Sequence, residues 1–127
     1  MGKTYALIAL GSALGGMLRF WLGGLMGQWL SFAGLPWGTI LVNISGSFLI
    51  GLLAGQAGPE SPWLNHDEWR ALTMVGVCGG YTTFSSFSLQ TLSLLEGGGI
   101  PAALLNVMIS VIACLAATGL GLALGRG

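Results

Sequence analysis

Polar side chains recur at helical spacing inside apolar segments, and they have the chemistry to handle an ion. Thr39, Asn43 and Ser47 follow one another every four residues, which places them on one face of a helix. Similar groups form a second stripe and a cluster: Asn106, Ser110, Cys114 and Thr118, then Thr82, Thr83, Ser85, Ser86, Ser88, Gln90 and Thr91. Interhelical hydrogen bonding is the ordinary use of such groups, but two stripes and a cluster favour a hydrated path. Hydroxyls and amides can donate to an anion without holding it by a full charge.

The cluster begins beside a predicted helix break. Gly79 and Gly80, followed by Tyr81, Thr82 and Thr83, weaken a continuous helix, and they place the predicted break at Gly79 to Thr82. A break inside a membrane frees backbone carbonyls, which is tolerated where they face a cavity or an ion, and such carbonyls often surround Na⁺ or a substrate. The alternative is a continuous helix that uses the two glycines for close packing. The local pattern favours neither interpretation.

Two phenylalanines and one arginine complete the candidate residues. Phe84 and Phe87 are three residues apart and share a face of a resumed helix. Such rings ordinarily face lipid or a neighbouring helix, but their edges carry partial positive charge and could line the path of a dehydrating anion. Arg19 is the only formal charge within a predicted crossing. It either extends to the membrane interface or makes a vestibule electropositive.

The elements that position these residues are membrane helices. The chain has 127 residues, of which 54% are hydrophobic and 6% charged, whereas soluble domains carry roughly 25% charged residues. A crossing needs roughly 20 mostly apolar residues. Apolar segments at about 4–31, 36–57, 71–95 and 100–124 therefore predict an all-α membrane protein with four crossings in one domain, 1–127. A turn at 58–62 opens the polar link before the third crossing.

Glycine is abundant, with 23 residues. Five Gly-x-x-x-Gly pairs predict a tightly packed bundle, because such pairs let helix backbones approach closely: Gly11/Gly15, Gly23/Gly27, Gly51/Gly55, Gly76/Gly80 and Gly121/Gly125.

The charged residues indicate the orientation of the chain in the membrane only weakly, and they argue against some classes of function. Three bases lie on one side of the four crossings, which places both termini in the cytoplasm, although three acids share that side: Lys3, Arg70 and Arg126, with Glu60, Asp67 and Glu68. Zero net charge argues against a nucleic-acid partner. An enzyme is the least favoured class, because the sequence shows neither a nucleophile–base pair nor a metal cluster.

The sequence resembles the Fluc fluoride channels, also called the CrcB type. The most specific part of the resemblance is the run Gly76-Val77-Cys78-Gly79-Gly80-Tyr81-Thr82-Thr83-Phe84-Ser85-Ser86-Phe87. Weaker parts are Arg19, Gly38-Thr39-Ile40-Leu41-Val42-Asn43 and Thr118-Gly119-Leu120-Gly121. The resemblance implies an antiparallel, dual-topology homodimer with two pores in the inner (plasma) membrane. The implied activity is passive, selective export of fluoride from the cytoplasm.

The resemblance also implies roles for individual residues. Phe84 and Phe87 match pore-lining phenylalanines, Asn43 the pore asparagine, Ser110 the polar track and Arg19 the wide entrance. Thr39 and Thr83 join the predicted fluoride path as hydroxyl donors. Gly79 and Thr82 match positions whose backbone carbonyls hold a central, structural Na⁺.

Two other membrane functions are weighed against this interpretation. A small multidrug transporter is also short, four-helical and dimeric, but it needs an acid inside the membrane to exchange protons. The first crossing has no acid, and Glu96 lies at a segment end. A non-transporting assembly subunit would not need the aligned polar stripes.

Overall fold

The computed structural model describes residues 1–61 and 66–127, and the regular structure of this part is helical. Within these described residues, three helices are long and apolar enough to cross a membrane: α1 (Gly2–Trp29), α2 (Trp37–Gln56) and α5 (Ile100–Arg126). A short 3₁₀ turn, Phe32–Gly34, links α1 to α2. Part of the predicted turn and polar link, 62–65, lies outside the described residues.

The third crossing consists of two half-helices, which confirms the predicted broken helix. The first, α3, covers 67–81 as an α-helical start at Asp67–Arg70, a π-helical stretch at Ala71–Cys78 and an α-helical end at Gly79–Tyr81. The second, α4, is Ser85–Glu96. Between them the chain becomes extended at Thr82, with φ −83° and ψ 158°.

The break therefore begins at Thr82, and the prediction that it starts at Gly79 is wrong. Gly79 and Gly80 are helical. Gly80 packs directly on α1, because a Cβ at this position would lie 2.5 Å from the Ser12 carbonyl oxygen. Close packing thus explains why residue 80 is a glycine. It does not explain Gly79, because a Cβ there would lie 3.9 Å from its nearest neighbour, the Met74 oxygen.

Glycines bring the helices together in two pairs. The glycines of α1 face those of α3, and the glycines of α2 face those of α5: Gly11 and Gly15 with Gly76 and Gly80, then Gly51 and Gly55 with Gly121 and Gly125. Four of the five predicted pairs therefore form helix contacts in which backbone meets backbone. In the fifth pair, Gly23 approaches Gly38 of α2, and Gly27 faces open space.

Candidate functional site

A cavity of about 390 Å³ lies between α2, the break and α5. It brings together seven of the predicted site residues: Asn43, Gly79, Thr82, Thr83, Phe84, Phe87 and Ser110. The rest of its lining is apolar or neutral, and none of the described lining residues carries a charge. The cavity can therefore offer neutral donors and ring edges to an ion, but no fixed counter-charge.

Asn43 holds the break to α2 by two hydrogen bonds to a single residue. Its Nδ2 donates to the Thr83 carbonyl oxygen at 3.0 Å, and its Oδ1 accepts from the Thr83 N–H at 2.7 Å. The amide thus satisfies both backbone groups of Thr83, which would otherwise be left unpaired where the helix stops. Because Nδ2 carries two hydrogens, this arrangement leaves the second N–H of Asn43 for another acceptor.

The same bond releases the carbonyl of Gly79. In a continued α-helix the Thr83 N–H would donate to Gly79, four residues earlier, but here it donates to Asn43. The Thr82 carbonyl is released in the same way, because the Ser86 N–H donates to the Thr83 hydroxyl oxygen at 3.1 Å. Two side chains therefore divert the N–H groups that a helix would give to the two carbonyls predicted to hold Na⁺.

Arg19 reaches the third crossing from α1. Its Nε donates to the Gly80 carbonyl oxygen at 3.1 Å, so one of the two carbonyls between the released ones has a side-chain partner. Arg19 and Thr39 do not line the first cavity; they line a second one of about 590 Å³, together with Gln90. Gln90 Oε1 is buried and has no hydrogen-bond donor within the described part of the chain.

The two phenylalanines lie side by side at the start of α4. Their ring centroids are 5.5 Å apart with an interplanar angle of 52°, a tilted arrangement in which the rings present edges as well as faces. Phe87 is half-buried, whereas Phe84 is 77% exposed. Both rings line the first cavity.

Three of the six hydroxyls in the predicted donor cluster already donate to backbone carbonyls of the third crossing. Thr82, Ser88 and Thr91 each donate to the carbonyl four residues earlier, at 3.0, 3.0 and 2.7 Å. Such bonds back to the helix are common for Ser and Thr. Counting hydroxyls from the sequence therefore overstates the donors that are free to meet an anion.

Sequence reasoning gave little weight to two further contacts. Asn106 is fully buried and donates to Thr91 at 2.9 Å; its place in the α5 stripe, one turn before Ser110, is the signal that points to it. The Tyr81 hydroxyl lies 2.9 Å from the Ser45 hydroxyl, joining the end of α3 to α2. No spacing pattern in the sequence indicates that second contact.

Known proteins resemble this chain over nearly all of its length. The family described as "CrcB-like protein, Camphor Resistance (CrcB)" matches residues 6–122. A protein of Rhodospirillum rubrum named fluoride-specific ion channel FluC is 52% identical over 119 residues, covering 93% of this chain and 91% of the relative. The protein of the same name from Paramagnetospirillum magneticum is 51% identical over 118 residues, covering 93% and 91%. The chain therefore belongs to the CrcB family, and it is a multi-pass protein of the inner membrane rather than an enzyme.

Proposed function

We propose that the chain forms a fluoride-selective, passive channel that exports fluoride from the cytoplasm. The observation that carries this proposal is the cavity at the helix break, which combines neutral donors with aromatic edges and has no charged residue in its described lining. The relatives named fluoride-specific ion channels support the choice of ion.

Fluoride must exchange its hydration shell for protein donors along this path. The second N–H of Asn43 is one donor, because the first is committed to Thr83. The edges of Phe84 and Phe87 supply weaker positive charge beside it. A narrow passage past these groups passes fluoride and rejects the larger chloride.

The uncharged lining also suits rapid passage. An ion bound by a full positive charge would leave slowly, and conduction requires that binding be weak enough for release. Arg19 lies at the second cavity and not at the first, so its charge attracts the anion toward the protein without holding it at the break. Proton-coupled export of a cationic drug has less support, because an embedded acid is not among the described lining residues.

An antiparallel homodimer with two pores would complete the site. Phe84 is 77% exposed although it lines the cavity, so a second copy of the chain would cover its ring and close the open side. Both copies would then contribute phenylalanines to each path. The excess of bases on one side favours a single orientation, but it is small, and three acids share that side, so it opposes insertion in both orientations only weakly.

A central Na⁺ fits the released carbonyls of Gly79 and Thr82. Carbonyl oxygens at helix breaks are ligands that Na⁺ accepts in membrane proteins, and in each copy two N–H groups are diverted away from them. Two copies would offer four oxygens. The ion would serve assembly, because no step of passive conduction needs it.

Fluoride efflux from liposomes tests the proposed function. Vesicles loaded with potassium fluoride should release fluoride quickly only when valinomycin lets K⁺ follow, because a passive channel moves net charge. Chloride-loaded vesicles should release almost nothing. Efflux that ignores the ionophore, or equal passage of chloride, would contradict the proposal.

The pore assignment has its own variant and control. Phe84→Ile removes a ring from the cavity and should cut fluoride efflux strongly. Phe48→Ile makes the same change in α2 at a different cavity and should leave efflux near wild type. Equal rates from both variants would remove Phe84 from the path.

Sodium and the dimer are tested together by exchanging the cation. Purified protein in Na⁺ buffer should run as a dimer in size-exclusion chromatography with light scattering. Replacing Na⁺ by N-methylglucamine should shift the equilibrium toward monomer. An unchanged dimer would argue against the Na⁺ site, and a monomer in both buffers would argue against the homodimer.

A further inference from the structure

A chain of three hydrogen bonds runs from the backbone of α4 to the cavity wall. The Thr91 hydroxyl donates to the Phe87 carbonyl oxygen at 2.7 Å. Asn106 Nδ2 donates to Thr91 Oγ1 at 2.9 Å, and Ser110 Oγ donates to Asn106 Oδ1 at 3.4 Å. Of the three side chains, only Ser110 lines the cavity.

The carbonyl at one end fixes the direction of every bond in this chain. A carbonyl can only accept, so the Thr91 proton is committed to Phe87 and the Thr91 oxygen is left to accept. Only the NH₂ end of the Asn106 amide can serve that oxygen, so its Oδ1 must face Ser110. Asn106 is 0% exposed, and water therefore does not compete for either end.

The consequence falls on Ser110 in the cavity. Its proton points to Asn106 and away from the cavity, so the oxygen lone pairs face the space where an anion would pass. This arrangement repels an anion, yet the Ser110–Asn106 bond is the longest of the three and lies near the limit of a hydrogen bond. A stronger acceptor in the cavity would take the proton away from Asn106.

We infer that Ser110 is a donor switched by the passing anion, and that Asn106 and Thr91 are the positioning residues that fix its direction when the cavity holds no ion. The inference rests on the proposed function and deepens it. When fluoride enters the cavity, the Ser110 hydroxyl turns from Asn106 Oδ1 to the ion. When the ion leaves, the hydroxyl returns to Oδ1, and the regained bond offsets part of the interaction lost. Fluoride is thus bound in the cavity without being held so strongly that its release becomes slow.

Thr91→Val tests the switch, because it removes the hydroxyl oxygen that fixes the orientation of the Asn106 amide. An orphaned buried N–H is less tolerated than an orphaned carbonyl, so Asn106 should turn its NH₂ toward Ser110. Ser110 then accepts from Asn106, and its proton faces the cavity permanently. Fluoride should bind more tightly and leave more slowly. In liposome efflux, the half-saturating fluoride concentration and the maximal rate should both fall about fivefold, the worth of one hydrogen bond.

A double-mutant comparison separates switching from simple damage. In a Ser110→Ala background, Thr91→Val should change neither the half-saturating concentration nor the maximal rate, because the proton it redirects is gone. Thr91→Ser keeps the hydroxyl and should restore wild-type values. Thr73→Val is the matched control, since Thr73 also donates to the carbonyl four residues earlier, at 2.6 Å, and does not line the cavity.

Each outcome decides the inference. If Thr91→Val does not fold, Asn106→Leu removes the acceptor of the Ser110 proton and should shift both values in the same direction. Equal effects of Thr91→Val with and without Ser110, or no effect of either variant, would overturn the switch while fluoride transport by the wild-type protein stands. A wild-type protein that passes no fluoride would overturn the proposed function itself, and the switch with it.

Discussion

The α2–α5 pair and the broken third crossing solve the same problem in opposite ways. Both must satisfy backbone groups in a medium without water. In α2 and α5 the helices are continuous and satisfy their own backbones, and glycines let them approach until backbone meets backbone. At the break the helix stops at Tyr81, and side chains from other positions satisfy the backbone instead.

The difference separates the scaffold from the site. The backbone inside a continuous helix leaves no donor or acceptor for an ion, whereas the break releases the Gly79 and Thr82 carbonyls beside the amide of Asn43. Such a break is stable only where partners are held in place. The α2–α5 pair holds them, because Asn43 lies on α2 and Ser110 on α5.

The largest effect is expected where the scaffold is tightest. A Cβ at Gly51 would meet the Thr118 carbonyl, and one at Gly121 would meet the Phe48 carbonyl. Neither backbone group can rotate away, so Gly51→Ala and Gly121→Ala should each destabilise the protein by about 3 kcal/mol, the upper part of the overpacking range. Heating in detergent followed by size-exclusion chromatography measures the loss.

Gly119→Ala is the matched control for these two variants. It makes the same change in α5, but a Cβ there would meet open space, and alanine favours a helix by up to about 1 kcal/mol over glycine. Stability should stay equal or rise. Similar losses at Gly119 and Gly121 would mean that glycine contacts do not hold the scaffold together.

The next effect distinguishes two adjacent glycines of the third crossing. Gly80→Ala places a Cβ 2.5 Å from the Ser12 carbonyl oxygen of α1, whereas on Gly79 the nearest atom, the Met74 oxygen, is 3.9 Å away. Gly80→Ala should therefore destabilise by about 2 kcal/mol, and Gly79→Ala should melt like the wild type. Thermal melts of both proteins in one detergent check this. Equal melting temperatures for Gly80→Ala and Gly79→Ala would contradict the assignment of Gly80 to helix packing and of Gly79 to the cavity.

A somewhat smaller loss of stability is expected at the link between scaffold and site. Asn43→Ala removes both partners of Thr83 and should cost about 1–2 kcal/mol, because partly buried backbone groups lose their hydrogen bonds. The Thr83 amide should exchange its hydrogen faster, and fluoride efflux should fall strongly. Ser47→Ala, one turn along α2 at the same cavity, should keep wild-type exchange at Thr83. Slow exchange at Thr83 in Asn43→Ala would contradict this role of Asn43.

The same comparison explains what the sequence could predict. Four crossings follow from apolar length and scarce charge, and the contact glycines follow from their spacing, since both are local properties. The site of the break does not follow from them. Gly79 and Gly80 both weaken a helix locally, and the Gly76/Gly80 spacing indicates a contact at Gly80, but the partner, the Ser12 backbone of α1, lies in another helix and is not identified by the local pattern.

The chemistry of the site shows the same limit. Helical spacing places Asn43 on the correct face, yet its partner Thr83 lies 40 residues further along the chain. The sequence therefore suggests an amide facing a path and does not reveal that half of its donors hold the break. Hydroxyls are likewise easy to count, but the carbonyls that accept from Thr82, Ser88 and Thr91 belong to the folded helix.

The smallest effect is expected at the start of the third crossing, where Lys3 Nζ lies 3.0 Å from Glu68 Oε1. This ion pair joins the starts of α1 and α3, but its side chains are 73% and 53% exposed. Exposed pairs contribute about 0–1 kcal/mol and are screened by salt. A double-mutant cycle of Lys3→Ala and Glu68→Ala, read by thermal unfolding, should give a coupling below about 0.5 kcal/mol that vanishes in 1 M salt. A coupling of about 2 kcal/mol that persists in salt would mean that the pair is shielded from water. The ion pair would then stabilise the packing of α3 on α1 together with the glycine contacts.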